Sequence, residues 1–261
     1  MIKHIFCDLD GTLYHNGISK EDIKAIKNIE EEKGIKFHIA TGRTFTDVHS
    51  MIKNSINMDG YYICENGALI YDKNHNLVFK GTIEDKIVKK VIARFESKNS
   101  YLYFKHDGVV ILVDEENILN KKGNKYIVDK NFINKESYNS LIGNIGIVSE
   151  DIEELSRIQL YLESEFGELL DIYFTADNVI NLVAKGVSKR EGIEFVCKNL
   201  NLENHEIATI GDSPNDINML DGIQYSFAME NSRDSVKKHA NYIVSSVSEA
   251  IGIINKINGV E

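Results

Sequence analysis

Short apolar runs alternate with segments of helical periodicity at both ends of the chain, and this alternation constrains the fold more than any other feature. Residues 2–7, 37–40 and 61–64 are predicted strands, and helices are predicted between them over 19–32 and 45–54. A strand-helix-strand-helix-strand order predicts a parallel sheet with right-handed crossovers and helices on its faces.

The same alternation of short strands and helices returns in the last third of the chain. A helix is predicted over 189–200, a strand over 207–210, a helix from 217, and further short strands over 225–228 and 242–244. Both ends of the chain are therefore expected to build one α/β core.

The middle of the chain has a different pattern. The runs 68–71 and 77–80 flank a polar turn, which is typical of a hairpin. Helices are predicted near 85–97 and 153–166, and strands over 101–105, 109–113, 145–148, 169–174 and 179–183. We therefore expect a parallel core formed by residues 1–82 and 186–261, interrupted by an inserted α+β domain at 83–185.

The charge balance restricts the partners of the chain. Its 261 residues carry 30 Lys+Arg and 40 Asp+Glu, a net charge of −10. Such a surface repels nucleic acid and anionic lipid, so neither is an expected partner. A small anionic substrate would need a local positive site built from Lys, Arg, backbone N–H groups or a metal.

Cysteine usage and the absence of long apolar stretches predict a cytoplasmic protein. The three cysteines, Cys7, Cys64 and Cys197, are far apart in apolar contexts and form neither a disulfide framework nor a zinc motif. No signal-peptide pattern is present, and no apolar stretch approaches the ~20 residues that span a bilayer.

Polar residues follow each predicted core strand at its carboxyl end, where ligands bind in open parallel sheets. They are Asp8 and Asp10 after the first strand, Thr41, Gly42 and Arg43 after the second, Asn66 after the third, and Asp212, Asn215 and Asp216 after the strand at 207–210. Two carboxylates as close as Asp8 and Asp10 need a counter-charge or a shared proton. A divalent cation could supply the counter-charge, and a third carboxylate from Asp212 completes an all-oxygen set that suits Mg²⁺. Lys189, Thr41 and Gly42 could neutralise the oxygens of a bound phosphate.

These residues carry a family resemblance. DLDGT at 8–12, TGR at 41–43, the Lys of GVSKREG at 189 and GDSPNDINML at 211–220 resemble the four motifs of the haloacid dehalogenase (HAD) superfamily. Their order and separation, the Asn-Gly-Ala at 66–68 and the insertion of about a hundred residues are similar to those of Cof-type hydrolases. The resemblance implies a Rossmann-like core with an inserted C2B cap domain that determines specificity.

The resemblance also implies a function. The protein is expected to be a Mg²⁺-dependent phosphatase that hydrolyses a small organic phosphate monoester through an aspartyl-phosphate. A sugar phosphate or a phosphorylated cofactor would be such a substrate. Asp8 would be the nucleophile and Asp10 the general acid and base. The implied Mg²⁺ ligands are Asp8, Asp212 and the main-chain carbonyl of Asp10.

The remaining implied roles concern the phosphoryl group and its surroundings. Phosphate-binding residues are Thr41, Gly42, Lys189 and Asn215, and supporting residues are Arg43, Asn66 and Asp216, the last of which would orient Lys189 or a metal-bound water. The sequence leaves two alternative functions open: a phosphomutase of the same superfamily, or a non-catalytic protein that binds a phosphorylated ligand, which the presence of both Asp8 and Asp10 disfavours. It does not indicate an oligomeric state.

Several side chains have a structural interpretation beside the functional one. Thr12 is expected to brace its own loop through its hydroxyl group. Arg43 could contact substrate or pair with a nearby acid, and Asn215 could bind phosphate or cap the following helix. Asn66 could belong to the site or only to a turn. The eight histidines lack the spacing of metal ligands and are expected to be structural.

Overall fold

The computed structural model describes residues 1–95, 99–120 and 126–259. They form two compact units. The first comprises Met1–Arg43, Asp47–Val78 and Ser188–Glu261, and the second comprises Thr44–Thr46 and Phe79–Val187. The corresponding boundaries predicted from the sequence are 82/83 and 185/186.

Strands and helices of the described residues are numbered along the chain. The strands are β1 His4–Cys7, β2 Lys36–Ala40, β3 Tyr62–Cys64, β4 Leu69–Tyr71, β5 Leu77–Lys80, β6 Ser100–His106, β7 Val109–Leu112, β8 Ile127–Val128, β9 Ile142–Ser149, β10 Leu170–Ala176, β11 Val179–Ala184, β12 Ile207–Gly211, β13 Ser226–Met229 and β14 Tyr242–Val244. The α-helices are α1 Lys20–Lys33, α2 Phe45–Ile52, α3 Asp85–Arg94, α4 Ile152–Phe166, α5 Lys189–Leu200, α6 Ile217–Leu220, α7 Asp234–Lys237 and α8 Val247–Ile257.

An eight-stranded sheet forms the centre of the first unit, with the strand order β14-β13-β12-β1-β2-β3-β4-β5. The pairs from β14 to β3 are parallel, and β4 pairs antiparallel with β3. Strand β1 lies between β2 from the start of the chain and β12 from its last third. The two ends of the chain therefore share one sheet, which confirms the predicted fold class.

Local sequence signals define the first helix of this unit. The Ser19 side chain accepts a hydrogen bond from the Asp22 backbone N–H and caps α1, and Gly34 ends it in the left-handed region at φ 68°. Ile26 and Ile29 lie on its buried face. The spacing of apolar residues thus sets the orientation of α1 because that face removes apolar surface from water.

A six-stranded sheet forms the second unit, in the order β10-β11-β9-β6-β7-β8. Its pairs are antiparallel except β7 with β8. Helices α3 and α4 contribute Val88 and Leu155 to one buried apolar cluster with Phe104 and Ile147 of the sheet. The unit therefore has its own hydrophobic core.

The structure corrects several predicted elements. Helix α8 was not among the predicted elements, although Ser246 caps it and Val247, Ala250, Ile251 and Ile254 are buried at helical spacing. Helix α7 and the two-residue strand β8 were not predicted either. Helix α3 ends at Arg94, because Phe95 has an extended backbone, and residues 96–97 of the predicted helix lie outside the described residues. Across the described part of the chain, no helix is long and apolar enough to cross a bilayer.

Candidate active site

Strand pairing brings two distant acidic motifs together. Strands β1 and β12 are parallel and in register, with Cys7 beside Ile210, and the Asp8 N–H donates to the Ile210 carbonyl at 2.9 Å. Asp8 and Asp212 each follow the end of their strand, so their side chains emerge at the same edge of the sheet.

Three carboxylates meet at this edge. One oxygen from each of Asp8, Asp212 and Asp216 lies within 4.8 Å of the other two. Gly11 permits the approach, because a Cβ atom at this position would lie 2.5 Å from Asp212 Oδ2. Gly11 also has a φ of 85°, a backbone region that favours glycine.

Lys189 inserts its ammonium group between two of these acids. Its Nζ lies 2.6 Å from Asp8 Oδ1 and 2.6 Å from Asp216 Oδ1, and the side chain is fully buried. Lys189 is the first residue of α5, where the helix dipole disfavours a positive charge. The two carboxylates offset this cost, so the position of Lys189 reflects the site and not the stability of the helix.

The pKa values in the cluster follow from burial and crowding. Burial raises the pKa of Asp8 well above its usual value, the Asp216 charge adds to the increase, and Lys189 opposes it. Burial also raises the pKa of Asp212, and the hydrogen bond from the Thr12 hydroxyl, which lowers that pKa, is the weaker effect. Burial alone would lower the pKa of Lys189. The negative charges of Asp216 and Asp8 have the larger combined effect, so the pKa of Lys189 is raised.

This donor set fits a divalent cation. Three carboxylates lie together with one ammonium group, which contacts Asp8 and Asp216, so the acids of the cluster outnumber its one basic group at a largely buried position. Oxygen ligands are those that Mg²⁺ prefers in proteins. Asp8, Asp212 and Asp216 are thus the side chains that could hold the ion.

Asp216 also shapes the loop after β12. Its Oδ2 accepts the backbone N–H groups of Asp212 at 3.0 Å and Ser213 at 2.9 Å, while its Oδ1 accepts from Lys189. The implied contact between Asp216 and Lys189 is thus present, and the same side chain belongs to the carboxylate cluster.

The expected role of Thr12 was wrong. Its hydroxyl donates to Asp212 Oδ1 at 2.7 Å, so it orients a carboxylate 200 residues away and does not brace its own loop. The cause is the β1–β12 pairing, which places the DLDGT loop against the loop after β12.

Asp10 has a different environment from Asp8. Its carboxylate accepts two hydrogen bonds from Arg43, at 2.6 Å from Nε and 2.7 Å from Nη2, and its side chain is 46% exposed. Of the two interpretations of Arg43, pairing with an acid is the one present. The Asp10 carboxylate does not belong to the cluster of three acids. The Mg²⁺ ligand that the family resemblance implies at this residue is the main-chain carbonyl and not the side chain.

Thr41, Gly42, Asn66 and Asn215 lie side by side at the same edge of the sheet. The Asn66 N–H donates to the Thr41 carbonyl at 2.9 Å, and Asn215 Nδ2 donates to Asn66 Oδ1 at 3.1 Å. Asn215 is not the cap of the following helix α6, because it lies inside the short turn Pro214–Asp216, which Ser213 precedes, and the N-cap position of α6 is Asp216. Sequence reasoning missed Ser213, although Ser-x-x-Asp before an apolar run is a capping signal.

The fold and the site define a class: an α/β core with a mainly parallel sheet, whose acidic cluster follows the ends of two neighbouring strands. The model of the haloacid dehalogenase-like hydrolase family matches residues 5–257. The chain belongs to this family and is a hydrolase, as the four motifs had indicated.

Known proteins resemble the chain over nearly its full length. The 5-amino-6-(5-phospho-D-ribitylamino)uracil phosphatase YcsE of Bacillus subtilis is 28% identical over 245 residues, which cover 93% of this chain and 89% of YcsE. TM0651 of Thermotoga maritima matches with a TM-score of 0.83 at 20% identity, covering 97% of each chain. The subclass IIB sugar phosphatase BT4131 matches with a TM-score of 0.78 at 25% identity, covering 99% of this chain and 100% of BT4131.

Proposed function

We propose that this hydrolase is a Mg²⁺-dependent phosphatase that cleaves a small organic phosphate monoester through an aspartyl-phosphate. The buried arrangement of Asp8, Lys189 and Asp216 carries the proposal, because it presents a fixed carboxylate oxygen beside a positive group. Phosphoryl transfer depends mainly on positioning and on stabilisation of charge, and this arrangement provides both.

Asp8 is the nucleophile in this mechanism. Lys189 holds Oδ1 of Asp8 at 2.6 Å, which leaves the other oxygen to form the bond to phosphorus. That bond forms as the bond between phosphorus and the ester oxygen breaks. The ammonium group of Lys189 then lies near the transferring phosphoryl oxygens and balances their charge.

Asp10 is the general acid and base. It is close to Asp8 in the chain but exposed, so it can reach the departing ester oxygen. Asp10 gives a proton to the leaving alcohol and later takes one from the water that attacks the aspartyl-phosphate. This second step releases inorganic phosphate and restores the Asp8 carboxylate. The Arg43 contact holds the Asp10 carboxylate at the edge of the site.

Asp8, Asp212 and Asp216, together with the main-chain carbonyl of Asp10, are the groups that would hold Mg²⁺. The ion would neutralise charge on the phosphate and on the carboxylates. Thr41, Gly42 and Asn215 would donate to the phosphoryl oxygens. Thr41 is buried and its backbone is fixed by a hydrogen bond to the Ile63 carbonyl at 2.8 Å, so this part of the site is preorganised.

The substrate is proposed to be a phosphate ester of a polyhydroxylated carbon chain. The names of YcsE and BT4131 describe phosphatases for a phosphorylated ribityl compound and for sugars. The second unit is proposed as a cap that selects the alcohol part of the ester.

The test is a panel of phosphorylated metabolites assayed for inorganic phosphate with and without Mg²⁺. It includes hexose phosphates and 5-amino-6-(5-phospho-D-ribitylamino)uracil. We expect Mg²⁺-dependent phosphate release from at least one polyol phosphate. Interconversion of sugar phosphate isomers without phosphate release would identify a phosphomutase instead, and the absence of any turnover would favour a binding protein.

A further inference from the structure

The loop after β3 has an unusual backbone conformation. Glu65, Asn66 and Gly67 have φ values of 53°, 58° and 102°. A non-glycine residue is disfavoured in this left-handed region, although asparagine tolerates it better than most. Backbone strain of this kind persists where the surroundings enforce it, and it is common at functional sites.

The surroundings of the loop do enforce it. The Glu65 N–H donates to the Arg43 carbonyl at 2.9 Å, and the Asn66 N–H donates to the Thr41 carbonyl at 2.9 Å. Gly67 packs against the residue before Lys189, because a Cβ atom there would lie 2.2 Å from the Ser188 carbonyl oxygen. The loop is thus fixed between two elements that the proposed mechanism uses for the phosphoryl group.

A chain of hydrogen bonds orients the Asn66 amide. The Ser213 hydroxyl donates to Asn215 Oδ1 at 2.6 Å, and Asn215 Nδ2 donates to Asn66 Oδ1 at 3.1 Å. Because Asn66 uses its oxygen as the acceptor, its NH₂ group is directed away from Asn215.

That NH₂ group is buried and has no partner. Asn66 is 2% exposed, and Nδ2 makes no hydrogen bond within the described parts of the chain. A buried donor without an acceptor is destabilising, because it loses its hydrogen bonds to water and gains none in the protein. An unpaired buried donor is expected at a position where it donates a hydrogen bond to a bound ligand.

The amide lies over the backbone of Gly42. A Cβ atom at Gly42 would be 3.2 Å from Asn66 Oδ1 and 3.5 Å from Asn66 Nδ2. The free donor of Asn66 and the proposed phosphate-binding turn at Thr41 and Gly42 therefore border the same space.

We infer that Asn66 Nδ2 is a catalytic hydrogen-bond donor to the transferring phosphoryl group and that Asn215 positions it. Asn215 retains a second N–H of its own for the same group. This inference rests on the proposed function. It assigns to Asn66 a direct contact with the reacting group, where the family motifs indicated only a supporting position.

The test compares Asn66→Gly with Asn201→Gly. Glycine tolerates the left-handed backbone, so the first variant removes the amide without adding strain. Asn201 is a matched control, since it also has a left-handed backbone (φ 53°, ψ 48°) but ends α5. Each variant is measured for kcat/KM with p-nitrophenyl phosphate, and for binding of orthovanadate, a mimic of the transferring phosphoryl group, by calorimetry with Mg²⁺.

We expect Asn66→Gly to lower kcat/KM about 100-fold and to weaken orthovanadate binding about tenfold or more, with unchanged values for Asn201→Gly. Values for Asn66→Gly within about twofold of the wild type in both measurements would overturn the inference. The calorimetric comparison needs no turnover. If the wild-type protein released no phosphate from any ester, the proposed function would fail while this comparison still tested Asn66.

A double-mutant cycle tests the positioning role of Asn215. If Asn215 acts partly through Asn66, the loss in the double variant with Asn66→Gly and Asn215→Ala is smaller than the product of the two single losses. Losses that multiply in full would show that the two amides act independently and would overturn the positioning role.

Discussion

The Lys189 ammonium group lies 2.6 Å from Asp8 Oδ1, although 181 residues separate the two in the chain. The contact joins the first strand of the core to the first helix after the second unit. It makes the electrostatics of Asp8, the proposed nucleophile, depend on a residue from the far half of the chain. Lys189 is fully buried and contacts two acids, so its removal has consequences for both stability and chemistry.

Replacing Lys189 by Met should destabilise the protein by about 3–5 kcal/mol at pH 7, because two buried carboxylates lose their counter-charge. The free energy of unfolding is measured by urea denaturation, followed by circular dichroism. Lys185→Met is the control, since its pair with Asp171 is exposed to solvent and contributes little to stability. Equal losses in the two variants would contradict the assigned role of the buried contact.

Mg²⁺ should stabilise the wild-type protein against heat, and EDTA should reverse the effect. Binding at a concentration 100 times the Kd adds about 2.7 kcal/mol to the free energy of unfolding. Asp212→Asn should reduce the shift in Tm because it removes one of the three clustered carboxylates. Asp221→Asn, at an acid outside the cluster, should leave it unchanged. A full Mg²⁺ response in the Asp212 variant would place the ion elsewhere.

Gly11→Ala should weaken Mg²⁺ binding and phosphatase activity together. The added methyl group would meet Asp212 Oδ2 at 2.5 Å. Gly34→Ala is a matched control, since Gly34 has a similar positive φ of 68° but no atom within 4 Å of the position of a Cβ. The control should lose about 1 kcal/mol of stability and retain activity. Comparable activity in both alanine variants would show that the approach of Asp212 does not depend on Gly11.

The His4 and His38 pair should make stability fall in acid. Burial lowers the pKa of His4 from 6.5 to about 4, and burial lowers the pKa of His38 as well. His38 Nδ1 accepts the Tyr61 N–H at 2.8 Å, and its Nε2 lies 2.9 Å from His4 Nδ1, an arrangement that suits neutral rings.

Because the unfolded chain binds protons below about pH 6.5 and the folded rings do not, stability is lost as the pH falls from 6.5 towards 4. His4 accounts for at most about 2 kcal/mol of this loss at pH 5. We therefore expect the difference in unfolding free energy between wild type and His4→Asn to shrink by about this amount from pH 7 to pH 5. A difference that is independent of pH would show that His4 titrates normally when folded.

Much of the architecture follows from local patterns, while the contacts within the site depend on tertiary pairing. The apolar runs that end before Asp8 and Asp212 locate both acids at strand ends. The Thr12–Asp212 and Arg43–Asp10 contacts were not predictable as such, because they depend on which strands are neighbours and on side-chain direction. Helix α8 was predictable from its cap at Ser246 and its spacing, but it was missed.

The most direct test of the mechanism is to trap the aspartyl-phosphate. In Asp10→Asn, p-nitrophenyl phosphate can still phosphorylate Asp8, since its leaving group needs no proton, but the variant lacks the base for hydrolysis. Intact-mass and peptide spectrometry with Mg²⁺ should find one phosphoryl group on Asp8 in this variant and none when Asp8 is also replaced by Asn. A phosphoryl group on another residue, or one that remains without Asp8, would contradict the assignment of the nucleophile.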